Sequence, residues 1–321
     1  MQQYTYTRLS ATYLLTLLQG HFAGLTTATC HYFTAGLHDN YIVAADSARF
    51  ICRVYRNDWR AEDEVAYELE LLDFLRARGA PVASPVPSIS GRLFFLVDCP
   101  EGIRLAALFN YAEGIAPGAD LNTETALLLG QSVAMTHQAS VGFQSDYQRK
   151  ALNLSFLLTE SLHVILPFLQ RDEDANFLRQ VAQELENKLR PIESDLPQVL
   201  CHGDVNPGNF HVTADQRITL FDFDQCGIGA RVFEIAKFQA AIHRFEDKQA
   251  LAAAFVEGYQ QTAPKLSALE REVLRYYEAV AVIWVMAHRP WNAEWIGYQR
   301  LQDDFWQQRL AVLRSIRLTS L

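Results

Sequence analysis

The rhythm of apolar and polar positions changes about a third of the way along this chain. Residues 30–45 read as two strand-like runs around a Gly-Leu-His-Asp-Asn turn, which predicts a hairpin. "RFICRVYR" (49–56), rich in β-branched and aromatic residues, predicts a third strand. "EDEVAYELELLDFLRARG" (62–79) switches to helical spacing. Val65, Leu69, Leu71, Leu72 and Leu75 make its apolar face, and Gly79 stops it. A proline-rich connector, "PVASPVPSISG", then leads into another strand, "RLFFLVDCP". From about residue 122 the pattern is helical, in "TETALLLGQSVAMTHQAS", "DANFLRQVAQELENKLR", "FEIAKFQAAIHRFE", "KQALAAAFVEGYQQ" and "ALEREVLRYYEAVAVIWVMAHR". Two short apolar runs, "QVLCHGD" and "ITLFDFD", interrupt these helices, each leading into a polar turn. No internal repeat is visible. The pattern predicts a small antiparallel sheet with one long helix over 1–112 and a mostly helical part over 113–321, with "FNYAEG" (109–114) as the hinge.

Composition narrows the class. The 321 residues have room for one large domain or two smaller ones sharing a core. A net charge of −9 argues against nucleic-acid binding, which needs clustered cations. Residues 113–321 carry −7 of that charge, a hint that a cationic ligand is welcome there. Five scattered cysteines without a CxxC pair suggest buried free thiols in a reducing compartment. No basic segment precedes "ATYLLTLL", and the longest apolar run, "AVAVIWVMA" (279–287), is too short to span a bilayer. The expectation is a soluble cytoplasmic protein without a membrane partner.

The chemistry concentrates in "LCHGDVNPGNFHVTADQRITLFDFDQCG" (200–227). His202, Asp204 and Asn209 form H-x-D-x-x-x-x-N, the spacing of a phosphotransferase catalytic loop. In such a loop one carboxylate, Asp204, orients a hydroxyl or accepts its proton. A neutral amide, Asn209, ligates Mg²⁺ without adding charge beside the phosphates. Asn206-Pro207-Gly208 supplies the turn residues that let both reach one point. Asp222, ending the second apolar run, is placed as a further metal ligand. The plain alternative is a solvated Asp/Asn/Gly loop between two strands.

The stretch resembles the aminoglycoside phosphotransferase/choline kinase-like superfamily, bacterial kinases distantly related to protein kinases. His202-Gly203-Asp204 matches that family's H-G-D motif, and "FDFDQCGIGARVFEIA" is similar to its metal-binding run. The resemblance covers most of residues 30–240. Within the family, "RVYR", the "ARG-PV-PVP" connector and "LFNYAEG" look most like the homoserine-kinase-type-II-like and stress-response-kinase-like branch. It implies an α+β, two-lobed protein-kinase-like fold. The smaller, N-terminal lobe is an antiparallel sheet with one long helix that binds nucleotide; the larger lobe is mostly helical and carries the acceptor region. By resemblance Asp204 is the catalytic base, and Asn209 and Asp222 bind Mg²⁺. Asp224 is a second acid that either helps the metal or hydrogen-bonds the loop. His202 reads as a structural residue of the loop, and Glu234 as one that holds the chain after Gly229. Gly36 and Asn40 fall on the phosphate-covering turn, and Phe109 and Tyr111 on the hinge against the nucleotide.

One departure stands out. Kinases normally hold the phosphates with a third-strand lysine, yet the first lysine here is Lys150. Arg53 is the available substitute, with Glu68 as its helix partner and Glu64 as the alternative. "AGLHDNY" has a single glycine, so a plain hairpin turn competes with the phosphate-loop reading. His137 reads as a packed core histidine. The C-terminal aromatics (Tyr276, Tyr277, Trp284, Trp291, Trp295, Tyr298, Trp306) read as core or pocket lining, with Glu278, Glu294 and Asp303 as candidate substrate acids. The function expected is transfer of the γ-phosphoryl group of MgATP to a small-molecule hydroxyl: an amino alcohol, a homoserine-like compound, a sugar or an aminoglycoside. The alternatives are a protein Ser/Thr kinase and a pseudokinase acting as a nucleotide-binding or interaction module.

Overall fold

A computed structural model describes residues 4–46, 48–316 and 318. The chain forms two compact units. The first gathers residues 1–115, 139–149 and 211–224; the second gathers 116–138, 150–210 and 225–321.

In the first unit, α1 (Ala11–His21) precedes β1 (Thr29–Ala35), β2 (Asp39–Ala45) and β3 (Ala48–Val54), followed by α2 (Glu62–Ala77), β4 (Phe95–Cys99) and β5 (Gly102–Asn110). The strands pair antiparallel throughout, in the order β1-β2-β3-β5-β4. Alternation sorts their side chains. Tyr41, Val43, Cys52, Val54, Ala106 and Leu108 go into a core shared with Leu14 and Leu18 of α1. Asn40, Ile42, Ile51 and Arg53 point to the other, half-buried face. Helix α2 buries Val65, Leu69, Leu71, Leu72, Leu75 and also Glu68, and Gly79 terminates it with φ +76°.

Strand β5 and helix α1 are absent from the pattern-based expectation. "GIRLAALFN" is rich in Leu and Ala, residues that favour helices, and its run Ala106–Phe109 is continuously buried, so no alternation betrays a strand. Phe109 and Asn110 close that strand. The segment returns to the sheet because it hydrogen-bonds between β3 and β4.

The second unit contains α3 (Thr123–Ala139), a π-helical turn (Ser155–Glu160) running into α4 (Ser161–Ile165), and α5 (Asp172–Leu189). Strand β6 (Gln198–Cys201) follows, and β9 (Gly227–Ala230) pairs antiparallel with it; between them in sequence, β7 (Phe210–Val212) and β8 (Ile218–Leu220) form a hairpin that falls almost wholly in the first unit. Helices α6 (Arg231–Ala241), α7 (Lys248–Thr262), α8 (Ala268–Trp291), α9 (Ala293–Ile296) and α10 (Asp303–Ser315) complete it. Helix α8 is the axis of the core: Val273, Tyr277, Val280, Ile283, Trp284, Met286 and Ala287 are buried. Its start is fixed by a capping box, with the Ser267 hydroxyl accepting from the Glu270 N–H at 3.1 Å and Glu270 accepting from the Ser267 N–H at 2.8 Å. Strand β9, "GIGA", was not foreseen because glycines disfavour strands. Here a Cβ at Gly227 would press on the Lys150 carbonyl and one at Gly229 on Leu152, so close packing demands glycine. Helix α6 stops at Ala241, short of the expected 246, where Arg244, Glu246 and Asp247 replace the apolar face.

Among the described residues all five cysteines are free thiols, four of them buried and Cys99 half-buried. Burial pushes Cys30 up to about 11 and raises Cys52 and Cys201 well above their usual range. No helix of the described residues is long and apolar enough to cross a membrane.

Candidate active site

In the first unit the site is built around Arg53. Strand register places Asn40 opposite Arg53 on one side and Ala107 on the other, with Ile51 opposite Phe109 one step along the same face. The result is a surface of half-buried Asn40, Ile42 and Ile51, backed by buried Ala107 and Phe109, around one guanidinium. Arg53 Nη1 lies 3.5 Å from Glu68 Oε1, and Nη2 lies 3.0 Å from Asp222 Oδ1. Arg53 thus faces Glu68 of α2, while Glu64 pairs with Arg60 at 3.4 Å. Burial works against the Arg53 charge, but Asp222, with Tyr55 and Glu68 behind it, holds the group firmly cationic. Burial pushes Glu68 up to about 7 against the pull of Arg53. Arg53 Nε and Nη1 and both Glu68 carboxylate oxygens are buried without a hydrogen bond. Such unused capacity in a buried pair is expensive in isolation and suits a ligand bearing anionic oxygens.

Asp222 follows β8 with φ +66°, a left-handed conformation that Asp tolerates better than most residues. Its side chain is 39 % exposed. Asp224, two residues on, is buried and fully engaged. It accepts from Trp59 Nε1 at 2.9 Å and from Arg60 Nη2 at 3.2 Å, and lies 3.2 Å from His38 Nε2. Its backbone carbonyl accepts from Arg60 at 2.7 Å and also from Arg149. Burial pushes the Asp224 carboxyl up, yet Arg60, His38 and Arg149 hold it well below the usual carboxylate range. Its carboxylate organises the hairpin end, and Asp222 is left as the more open of the two acids. Gly36 lies in the β1–β2 turn, where its N–H donates to the His38 carbonyl at 3.0 Å. Tyr111 packs under Arg49, 4.2 Å from ring centre to guanidinium carbon, and 6.1 Å from the His211 ring.

In the second unit the loop after β6 carries His202, Asp204 and Asn209. Gly203 is indispensable to it: φ is +81°, and a Cβ would run into the Gln225 carbonyl. Glu234 of α6 clamps the loop from below, accepting the N–H groups of His202 and of Gly203, the latter at 3.1 Å. The expectation for Glu234 therefore needs correcting in place: it holds the loop after β6. Glu234 is also 3.4 Å from His137 Nε2, and His137 Nδ1 meets the Tyr259 hydroxyl at 2.8 Å, so His137 is a buried support of that clamp. With Cys201 these residues bring three ligand-type atoms within 4.8 Å, but the histidine and glutamate are spent on hydrogen bonds. His202 is 2 % exposed, and its Nδ1 accepts the Asp204 N–H at 3.2 Å.

Asp204 itself is held from several sides. Asn209 Nδ2 donates to Asp204 Oδ2 at 2.9 Å and to its carbonyl at 2.9 Å, and Asn206 Nδ2 donates to Oδ2 at 3.1 Å. Lys237 Nζ sits 2.6 Å from Oδ1. Burial pushes the Asp204 carboxyl up, but Lys237 and His288 outweigh it and leave it below its ordinary value. About a quarter of the side-chain surface (26 %) stays open, and it opens on a cavity of about 310 Å³. That volume is at the small end for ligand sites.

This loop, with its carboxylate, amide and glycine, belongs to a known sequence family. The sequence model described as "phosphotransferase enzyme family" matches residues 29–270, three quarters of the chain. The chain belongs to the phosphotransferase enzyme family. It is an enzyme of the kinase and phosphotransferase kind, in a family acting on hydroxyl groups. An uncharacterized protein of Synechocystis sp. is 35 % identical over 98 % of this chain and 87 % of its own length. A homoserine kinase of Neisseria meningitidis serogroup B is 25 % identical over 73 % of each chain. Among solved structures, a microcompartment-associated aminopropanol kinase superposes with a TM-score of 0.78 at 20 % identity, covering 97 % of this chain and all of that one. The antiparallel sheet and larger helical part are the α+β fold of this family.

Several residues of this phosphotransferase escaped the reading of its sequence. Lys237 is the most prominent. A single lysine inside "RVFEIAKFQAA" was a readable signal, since a lysine in an otherwise buried helix needs a partner. Arg60, Arg149 and Trp59, which surround Asp224, left no such mark, because their meeting depends on segments far apart in sequence. The acids Glu278, Glu294 and Asp303 do not line the cavity beside Asp204, and Asp303 is paired with Arg171. Among the aromatics, Trp284 and Trp306 are core.

Proposed function

We propose that this phosphotransferase moves the γ-phosphoryl group of MgATP to the hydroxyl of a small molecule, with Asp204 as the residue that orients and deprotonates that hydroxyl. The observation that carries the reading is the Asp204 carboxylate: fixed by two asparagines and Lys237, kept ionised, and open to a cavity of small-molecule size. A cavity of about 310 Å³ suits a compact acceptor better than a peptide segment. The names of the relatives, homoserine kinase and aminopropanol kinase, both point to short amino alcohols.

The donor sets suit the cofactor. Asn209 turns its Nδ2 to Asp204, and its amide oxygen takes part in no hydrogen bond among the described residues; Asp222 adds a half-open carboxylate. Both are hard oxygen donors of the kind Mg²⁺ prefers. Arg53, supported by Glu68, offers its unused N–H groups to phosphate oxygens, and Ile42 and Ile51, backed by Ala107 and Phe109, offer an apolar face for a base. When bound, Mg²⁺ would neutralise charge on the transferring phosphoryl group. The chain's own part is positioning and electrostatics: Asp204 aligns the hydroxyl, Lys237 sets its charge, and Arg53 steadies the phosphates.

The test is ADP release measured over a panel of amino alcohols, hydroxy amino acids, sugars and a basic protein, with Asp204→Asn as control. Acceptor-dependent turnover that drops by about 10²–10⁴ in Asp204→Asn, with nucleotide affinity retained, is the expected result. Tight MgATP binding with no turnover on any acceptor would replace this reading by a nucleotide-binding pseudokinase, and turnover on the protein alone by a protein kinase.

A further inference from the structure

The cavity beside Asp204 has an unexpected charge. Its polar lining is Asp204, Asn206, Lys237, His243, Arg244, His288 and Arg309, backed by small apolar side chains of α6, α8 and α10. Asp204 is the one acid in that lining, and Lys237 already neutralises it at 2.6 Å. Arg244 and Arg309 remain. Among the described residues neither forms an ion pair; Arg244 donates only to the neutral Gln308 Oε1 at 3.3 Å, and the Arg309 guanidinium lies 5.8 Å from the Phe305 ring. A protein that is acidic overall has thus gathered two uncompensated guanidinium groups on one small cavity.

Arg309 is half-buried and Arg244 exposed, and like charges brought together on one cavity wall repel each other unless something anionic joins them. The crowding registers on the groups themselves. Arg309 is pulled below its ordinary value by burial and then by Arg244 and Arg289, and His243 is pulled down by burial and then by Arg309 and Arg244. Guanidinium forks are the side chains best shaped for a carboxylate or a phosphate.

We infer that the acceptor carries an anionic group, a carboxylate or a phosphate, which Arg309 and Arg244 bind while its hydroxyl meets Asp204. This rests on the phosphotransferase reading above and sharpens it. The acceptor is a compact molecule, of about ten water-sized groups by volume, with a short aliphatic body against Ala240, Val282, Val285 and Val312. An ammonium group elsewhere on the molecule is compatible with this, so a hydroxy amino acid fits better than a simple amino alcohol.

Matched pairs of acceptors separate the possibilities: glycerate against glycerol, homoserine against its carboxyl-free diol analogue, and glucose 6-phosphate against glucose. The anionic member of at least one pair should have a kcat/KM at least 10-fold higher, and the pair that responds tells carboxylate from phosphate. Arg309→Gln should raise KM for that acceptor by about 10–100-fold with kcat and the KM for ATP little changed. Arg309→Lys, which keeps the charge, should restore part of the loss. Calorimetric titration of wild type and Arg309→Gln with glycerate and glycerol, without nucleotide, gives a second readout. Anion binding that Arg309→Gln abolishes supports the inference even if no acceptor turns over, in which case the phosphotransferase reading alone falls. Turnover confined to neutral or purely cationic acceptors, untouched by Arg309→Gln, overturns the inference and leaves the phosphotransferase reading intact.

Discussion

Arg53 lies between two acids, and its substitution separates their roles. Removing it in Arg53→Ala takes away the ion-pair partner of buried Glu68 and, on the proposed mechanism, the donor to the phosphates. MgATP affinity measured by calorimetry should fall by at least 10-fold, and Arg53→Lys should recover only part, since one ammonium cannot reproduce a fork. Unchanged affinity in Arg53→Ala would mean that the phosphates are held elsewhere. Glu68 gives a pH signature. Its pKa in the folded state is pushed up to about 7, above the ordinary value of 4.5, so the native state holds the proton more tightly than the unfolded chain. Its contribution to stability is then present below pH 4.5 and lost as pH rises towards 7. Glu68→Gln should flatten that decline, measured as urea midpoints at pH 5 and pH 7; a decline as steep as in wild type would show that another group causes it. At this scale the sequence was legible where chemistry demands residue types at fixed spacing, as at His202, Asp204 and Asn209. It was silent on Arg244 and Arg309, which lie 65 positions apart and meet only through packing.

At the scale of elements, helix α6 carries two side chains into the loop after β6: Glu234 under its backbone and Lys237 against its carboxylate. One helical turn separates them, so they rise on one face. Lys237→Met removes a main cause of the lowered Asp204 pKa. On the proposed mechanism activity requires the ionised carboxylate, so the acid limb of the pH–rate profile should move to higher pH. A limb that stays put while kcat falls would make Lys237 a contact of substrate and not a regulator of Asp204. Gly203→Ala tests the loop from the other side. Its strained φ and its clash with Gln225 should cost more than about 1 kcal/mol in chemical unfolding, and turnover should fall further than stability explains. Unfolding and turnover equal to wild type would show that the loop relaxes freely. Long periodic helices and the β1–β2 hairpin were readable, the helices because one face of each is dry and the hairpin because strand-like runs flank a turn of Gly, Asp and Asn. Strands β5 and β9 were not, because tertiary pairing overrode helix-favouring residues in one and glycines in the other.

Taken whole, the chain weaves. The first unit needs residues 139–149 and 211–224, which follow long stretches of the second. Leu220 of β8 hydrogen-bonds to Pro81 and Ala83, and Asp224 gathers His38, Trp59, Arg60 and Arg149. A fragment ending at residue 115 keeps the five-stranded sheet but loses those partners, removing the carboxylate beside buried His38 and one of the acids that Arg60 pairs with. It should show markedly weaker and less cooperative thermal unfolding by circular dichroism than the full chain. A fragment that melts as sharply and as high as the intact protein would mean the sheet is self-sufficient.

The absence of lysine before position 150 has a consequence outside folding and catalysis. Residues 1–115, 139–149 and 211–224 contain no lysine, so the unit bearing Arg53 offers no side-chain amine to an electrophile. On the proposed mechanism, acyl-phosphate nucleotide probes, which report kinases by acylating a lysine beside the bound phosphates, would find there the Arg53 guanidinium, which is too weakly nucleophilic to react. In a proteome-wide survey built on such reagents this enzyme would pass uncounted in that unit while fully active, and Arg53→Lys would make it visible.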